Sequence, residues 1–542
     1  MAPPSAIEVE AVTDTSGVTL PNPLSVPVKT NEILGRRKKT DKSQWGVAAP
    51  CASVNFRHRS YDHKPKAKRW DHIISHEAQI RKGNSLKNAA KFLSKPGIIS
   101  LGGGLPSSEY FPFEELSVKV PAIGQFSPSQ TKESGTVITA GRHDLAEGKS
   151  IFDISTAFNY GQGSGSAQLL RWITEHTELV HSPPYQDWSC TMSIGSSSAL
   201  DMSIRMLSRP GDMMLSEEYT FSAAVETAIP LGVRMAGVPV DAEGLLPDAM
   251  DDILSNWDVN VRGSRKPHLL YTVPTGQNPT GATQGADRRR AIYAVCQKHD
   301  IFIIEDEPYY FLQMQPYTGP DSTPVPPPSS HAEFLRCLVP SYLSLDTDGR
   351  VMRLDSFSKV LSPGSRIGWI TASEQLVDKY QKHADVSTHG PSGMAQLILF
   401  KLLDEHWGHS GYLDWLLHIR AEYTIRRDNI LTACEKHLPK SIVSWKVPMA
   451  GMFHWMQVDF RKHPQYPAKD IETIEEGVFM RNIEHGALLM KGSWFYASKE
   501  EKHDTLFFRA TYAAAPADRI EEAIRRFGVA IREEFKLGDK EN

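Results

Sequence analysis

The 542-residue sequence predicts an α/β fold, with a large domain of mostly parallel sheet flanked by helices and a smaller α+β domain. Two observations carry that expectation. From about Tyr160 onward, short apolar runs alternate with amphipathic helical stretches, as βαβ units require. The runs are apolar through their length, which suits strands covered on both faces. The last third is segregated from this alternation and ends in a helical stripe.

Taken in order, residues 1–84 are rich in Pro, Ser, Lys and charge and have little apolar periodicity. They read as an irregular, poorly packed N-terminal extension. Its basic cluster, Arg36, Arg37, Lys38 and Lys39, reads as a solvated charge run. Compact structure starts near KPGIISLGGGLP, where Ile98, Ile99 and Leu101 precede a glycine run. Residues 85–150 are assigned to the N-terminal part of the smaller domain. Within them, polar Ser127 to Lys149 shows no element pattern and reads as an insertion.

Residues 151–395 are expected to form the large domain. CTMSI (190–194) reads as a strand, and GSSS then turns into a helix burying Leu200, Ile204 and Leu207. HLLYTVP (268–274) reads as a buried strand, followed by a loop and a helix burying Ile292, Val295 and Cys296. IFII (301–304) is the next strand. Pro324–Pro328 reads as a surface loop. Residues 396–542 complete the smaller domain, with a last helix burying Ile520, Ile524, Phe527, Ile531 and Phe535.

Composition narrows the function classes. A formal net charge of −4 gives no global field favouring nucleic acid or an anionic membrane. The five cysteines are scattered, without metal-ligand spacing, and point to a reducing compartment, here the cytoplasm. No apolar run is long enough to span a bilayer. The N-terminus has acidic residues and no apolar signal-like core, so neither a secretory nor a mitochondrial leader is expected.

Open parallel sheets bind ligands at the carboxyl ends of their strands. Asp306 directly follows an apolar strand, Asn278 lies in PTGQNPTG after another, and Lys359 lies in DSFSKVLSPGSRIGW. Alone, these read as a helix cap, a turn residue and a surface lysine. Together they match the needs of pyridoxal 5′-phosphate. Its aldehyde requires an amine, which Lys359 offers. Its pyridine nitrogen requires a buried carboxylate to stay protonated, and Asp306 suits that role. Its phenolate oxygen requires neutral donors, which Asn278 and Tyr309 could provide. Its phosphate requires hydroxyls, a helix N-terminus and a guanidinium. Ser196, Ser197, Ser356, Ser358 and Arg366 fit those needs.

GSSSAL, PTGQNPTG, EDEPYY and SFSKVLSPGSRIGW, in that order, resemble the motifs of fold-type I pyridoxal-phosphate aminotransferases. SLGGGLPSSEYFPF, EDEPYYFLQMQPY, GYLDWLL, AGMFHW and FFRATYAA narrow the resemblance to fungal aromatic amino acid aminotransferases, relatives of the kynurenine/2-aminoadipate enzymes. It runs from about Ile98 to Phe535. It implies that Lys359 is the Schiff-base lysine and Arg366 the phosphate-binding arginine. It adds Phe221 as the aromatic stacked on the pyridine ring, where many relatives carry Tyr. Ser197 stands where relatives often carry Gln. Arg509 would fork onto the substrate carboxylate, with Gly104 beside it, and Tyr160 would reach the phosphate across a dimer interface.

The resemblance implies a ping-pong aminotransferase moving an amino group from Phe, Tyr or Trp to a 2-oxo acid, 2-oxoglutarate foremost. 2-Aminoadipate or kynurenine is the alternative donor. The expected assembly is a homodimer with small-molecule partners, no metal, no nucleic acid and no membrane. A different class, an aminotransferase-like body fused to a DNA-binding domain, finds no helix-turn-helix periodicity in the extension.

Overall fold

The computed structural model describes residues 29–37, 51–89, 101–319, 325–500 and 503–538, and the single residues 92, 97, 99 and 323. Expectations placed on residues 1–28, 38–50, 90, 91, 93–96, 98, 100, 320–322, 324, 501, 502 and 539–542 lie outside the described residues.

Seven strands form the central sheet: β1 (Trp188–Ser193), β2 (Met213–Glu217), β3 (Arg234–Val238), β4 (Leu269–Thr272), β5 (Phe302–Asp306), β6 (Val351–Ser356) and β7 (Gly368–Ser373). Their spatial order is β1-β7-β6-β5-β4-β2-β3. Neighbours from β6 to β3 run parallel, while β7 is antiparallel to both β6 and β1. The apolar runs read in the sequence are these strands, and β1, β2, β4, β5, β6 and β7 are buried at every residue. Burial on both faces is what makes them continuous rather than alternating.

Helices cover both faces. After α1 (Thr30–Arg37), the chain forms α2 (Ala167–Val180), α3 (Gly195–Leu207) and α4 (Ala286–His299). α3 buries Leu200, Ile204 and Leu207 as its periodicity predicts, and α4 buries Ile292 and Cys296, while the predicted Val295 is only half-buried against the same core.

The smaller sheet has the order β8 (Val443–Trp445), β9 (Phe453–Val458), β11 (Leu506–Thr511), β10 (Met490–Lys491), antiparallel throughout. The long α5 (Gly408–His437) joins the two bodies. Its Tyr412, Leu413, Leu416 and Ile419 pack into the large core, and its Ile430, Ala433 and Cys434 into the small one. Packing therefore changes partner within α5. α6 (Ala517–Phe535) closes the small core with its predicted Ile520, Ile524, Phe527, Ile531 and Phe535 stripe.

The structure corrects three expectations. Residues 51–80 hold only the 3-10 turn Ser53–Phe56 and the short helix His76–Ile80, but they are not poorly packed. Trp70 is fully buried, edge-on to Phe302 at 5.1 Å, and Ile73, Ile74, Phe56 and Tyr61 join the same core. Ser53 Oγ accepts the Cys190 N–H at 2.7 Å, capping the edge strand β1. A few large aromatics bury enough surface to dock a segment that shows no periodicity.

Arg37 is not a solvated charge. It meets Glu175 at 2.5 Å and Asp404 at 2.7 Å, both buried, and Arg36 donates to the carbonyls of Asn55 and Phe56. Arg37 is satisfied by acids distant in sequence, which a local reading cannot reveal.

Ser127 to Lys149 does contain elements. A helix, Pro128–Ser134, starts with a Ser127/Gln130 capping box, and Thr136–Gly141 pairs antiparallel with Glu115–Val120. This hairpin also packs on the large body rather than on the small sheet. Val120 belongs to the large core, and Ala140 packs with Phe152, Leu397 and Phe400. Its strands are exposed along much of their length, so they lack the apolar signal of the central strands.

Candidate active site

β1, β4, β5 and β6 point the same way, so their carboxyl ends and the turns that follow share one edge. Most of the residues singled out from the sequence lie along that edge. Asp306 is the last residue of β5. Tyr271 Oη donates to its Oδ2 at 2.9 Å, while Oδ1 is buried and makes no hydrogen bond within the protein. Burial pushes the Asp306 carboxyl up to about 6, with Asp355 adding to that and the Tyr271 hydrogen bond and Arg353 opposing it.

β6 ends at Ser356, and the Lys359 turn follows. Ser356 Oγ donates to Ser358 Oγ at 2.6 Å and accepts the Ser358 N–H at 3.0 Å, which fixes the start of the turn. Phe357 anchors it among Trp172, Trp369 and Tyr412, and Trp415 Nε1 donates to the Val360 carbonyl at 2.6 Å. The Lys359 ammonium is held below its ordinary value by burial first and then by the charge of Arg366. A lysine so destabilised as a cation is a better nucleophile and base.

Arg366 has φ +52° and donates to the carbonyls of Pro363 at 3.0 Å and Ile194 at 3.4 Å. The second contact places its guanidinium over the start of α3. Gly195 there has φ +72°, and a Cβ on it would sit 2.3 Å from Arg366 Nη2. The positive φ favours glycine, and a Cβ there would push the Arg366 guanidinium away. Ser196 Oγ beside it is buried and makes no hydrogen bond within the protein, whereas Ser197 is exposed.

The PTGQNPTG loop follows β4. Gln277 braces it by donating to the Tyr219 carbonyl at 2.7 Å and by accepting from Thr280. Asn278 Oδ1 accepts from Arg509 Nη1 at 2.6 Å. Arg509 comes from β11 of the small sheet, so this bond joins the two bodies at the site. Its guanidinium lies between the rings of Phe453, at 4.3 Å, and Phe495, at 4.5 Å. Burial pushes Arg509 down to about 10, partly offset by Tyr309, so it remains a cation at neutral pH. Tyr309 is buried edge-on to Phe453 at 5.8 Å, its phenol pushed up by burial and by Asp306. Phe221 is half-buried at the start of the short helix Ser222–Ala228.

Two predicted residues are not brought to this edge within one chain. Tyr160 is 62% exposed and its ring lies 6.4 Å from that of His389. Gly104 is exposed, with no atom within 4 Å of where a Cβ would stand. Conversely, sequence reasoning passed over Tyr271, Gly195, Phe453, Phe495 and Trp415. Tyr271 carried a signal, since a tyrosine in a fully buried strand needs a partner for its hydroxyl. Phe453 and Trp415 sat in AGMFHW and GYLDWLL without an assigned role.

The residues fit pyridoxal 5′-phosphate. A ring N–H would satisfy the unpartnered Asp306 Oδ1. A phosphate would satisfy Ser196 Oγ in the cradle of Gly195, the α3 N-terminus and Arg366. Lys359 offers the amine.

Residues 123–527 match the family model described as aminotransferase class I and II. The chain is 43% identical over 470 residues to an aromatic amino acid aminotransferase of Schizosaccharomyces pombe, covering 86% of this chain and 98% of that protein. It is 38% identical to an L-tyrosine:2-oxoglutarate aminotransferase of Tapinella panuoides, covering 75% and 78%. Among solved structures, the aminotransferase Aro8 of Candida albicans superimposes with a TM-score of 0.79 at 40% identity, covering 88% of this chain and all of that one.

Proposed function

The chain belongs to the class I and II aminotransferase family. From that premise we propose that it moves the amino group of an aromatic amino acid to a 2-oxo acid, 2-oxoglutarate foremost, using pyridoxal 5′-phosphate. The observation that carries this reading is the convergence on one edge of Lys359, a buried carboxylate with a free acceptor, and a cationic fork joined to Asn278. The aromatic donor follows the named activities of the similar proteins and the ring-lined surroundings of Arg509.

When bound, the cofactor supplies a sink for the electrons left at the substrate Cα. The chain supplies the rest. Asp306 Oδ1 accepts the pyridine N–H and keeps its proton in place. Ser196, Ser356, Ser358 and Arg366 hold the phosphate, with Ser197 at the rim. Phe221 would pack on the ring, and Asn278 and Tyr309 would supply neutral donors to its phenolate oxygen. Arg509 forks onto the substrate carboxylate and so aims the Cα–H bond. With the cofactor bound, Lys359 would hold it through its amine and would serve as the base that moves the substrate Cα proton. A second 2-oxo acid runs these steps in reverse.

We assign a homodimer to this chain. Ile99, Leu101 and Tyr110, grouped within one twelve-residue segment, are 89%, 95% and 86% exposed, and a group of bare apolar side chains suits a surface covered by a partner. Two-fold pairing brings Tyr160 of the second copy to the phosphate, and Gly104 beside the substrate carboxylate. The five described cysteines are all unpaired, which supports a reducing compartment such as the cytoplasm.

The test is Lys359→Ala. The purified variant should lose the visible absorbance of the lysine-bound cofactor and all detectable transfer from phenylalanine to 2-oxoglutarate. Transfer at the wild-type rate without added amine would remove Lys359 from the mechanism.

A further inference from the structure

Asp306 has two carboxylate oxygens in different situations. Oδ2 accepts from Tyr271 at 2.9 Å, and Oδ1 is buried without a partner. The difference comes from strand register. Tyr271 on β4 stands opposite Ile304 on β5. Asp306 lies two residues further along β5, so it shares that face, and the phenol reaches along the face to the strand end. Tyr271 is itself fully buried, and Asp306 is the partner its hydroxyl finds.

We propose that Tyr271 is a positioning residue for the cofactor: its hydroxyl fixes the Asp306 carboxylate by Oδ2 and so presents Oδ1 to the pyridine N–H. This rests on the cofactor reading given above. A carboxylate free to rotate would offer either oxygen or neither. Anchoring one oxygen leaves a single acceptor in a single direction. The surroundings make the anchor consequential. Asp355 and Glu217 are like charges near Asp306, Arg353 is the opposing cation, and Tyr309 lies on the turn beyond. In that setting a neutral donor at Oδ2 favours the ionised form without competing for Oδ1.

The experiment uses Tyr271→Phe, with Tyr293→Phe as a matched control. Tyr293 is another buried tyrosine, donating to Asp346 at 2.9 Å and Asp348 at 2.8 Å away from this edge. Cofactor-stripped proteins are titrated with pyridoxal 5′-phosphate by fluorescence, and the pH midpoint of the visible band is read on the reloaded proteins. Tyr271→Phe should bind the cofactor about tenfold more weakly, the scale of one charge-assisted hydrogen bond. Its band midpoint should move upward by about half a pH unit or more, because a less firmly held pyridinium proton draws less charge from the lysine nitrogen. Tyr293→Phe should lower thermal stability and leave both readings unchanged. In an Asp306→Asn background, Tyr271→Phe should change affinity by less than about twofold, since coupled partners are not additive. Wild-type affinity and midpoint in Tyr271→Phe would overturn the positioning role alone, as would an effect that persists in the Asp306→Asn background. A wild-type protein that takes up no pyridoxal phosphate would overturn the cofactor reading as well.

Discussion

Replacing Arg509 by lysine keeps the charge and removes the fork. The structure sets the size of the effect. One guanidinium nitrogen is committed to Asn278 at 2.6 Å, and the plane is held between Phe453 and Phe495. The remaining donors are the ones available to a substrate carboxylate. A lysine ammonium can make one bond to that carboxylate but not two parallel ones, and it does not stack as a plane between two rings. Loss of one charge-assisted hydrogen bond costs about 1.5–3 kcal/mol. That is roughly 10- to 150-fold in kcat/KM at 1.4 kcal/mol per factor of ten. The assay compares phenylalanine with phenethylamine, which has the same ring and amine but no carboxylate. Arg509→Lys should lose that factor for phenylalanine and change phenethylamine by less than about threefold. Equal losses on both substrates, or a phenylalanine kcat/KM within about threefold of wild type, would refute the assignment of Arg509 to the carboxylate.

Three other outcomes follow from the same geometry. Arg37→Ala leaves the buried Glu175 and Asp404 short of a cation, so the urea midpoint should drop by the equivalent of about 3 kcal/mol, with kcat within about twofold of wild type. Burial raises the Glu175 carboxyl, but the His409 hydrogen bond and Arg37 outweigh it and hold it down at about 2. A depressed carboxyl contributes stability above its ordinary 4.5 and loses it as pH falls toward 2, so the variant's deficit should be full above about pH 5 and shrink below it. A constant deficit from pH 7 to pH 3 would contradict this ion pair. Asp306 works in the opposite sense: without cofactor, burial raises it to about 6, so its share of stability is lost as pH rises from about 4 through 6. A pyridinium partner reverses that penalty, so the gain in melting temperature on adding cofactor should grow across the same window, and Asp306→Asn should flatten it. Finally, mixing refolded Lys359→Ala and Tyr160→Ala subunits should restore about a quarter of wild-type activity, because each mixed dimer holds one intact site if Tyr160 acts in trans. No recovery, together with a monomer in sedimentation, would dismiss the shared site.

Much of the large domain was legible in the sequence because its strands are buried on both faces. That condition forces uninterrupted apolar runs such as FII in β5 and LLY in β4. Lys359, Asp306 and Asn278 were legible for a related reason. They occupy the turns and ends just beyond those runs, where a carboxyl-end ligand site must lie. The hairpin Glu115–Val120 with Thr136–Gly141 was not legible, since its exposed strands carry no apolar run.

The sequence by itself determined the order of the elements, the helical stripe of α6 and the set of side chains able to hold a phosphorylated pyridine aldehyde. Each depends on local periodicity or on residue chemistry, both of which are written along the chain. Only the tertiary structure decided that Arg37 neutralises Glu175 and Asp404, that Trp70 packs under Phe302, that Arg509 bonds Asn278, and that Tyr271 occupies one oxygen of Asp306. These pairs join residues far apart in the chain. The partner of a buried charge or hydroxyl is fixed by which elements pack together, and no local pattern records it.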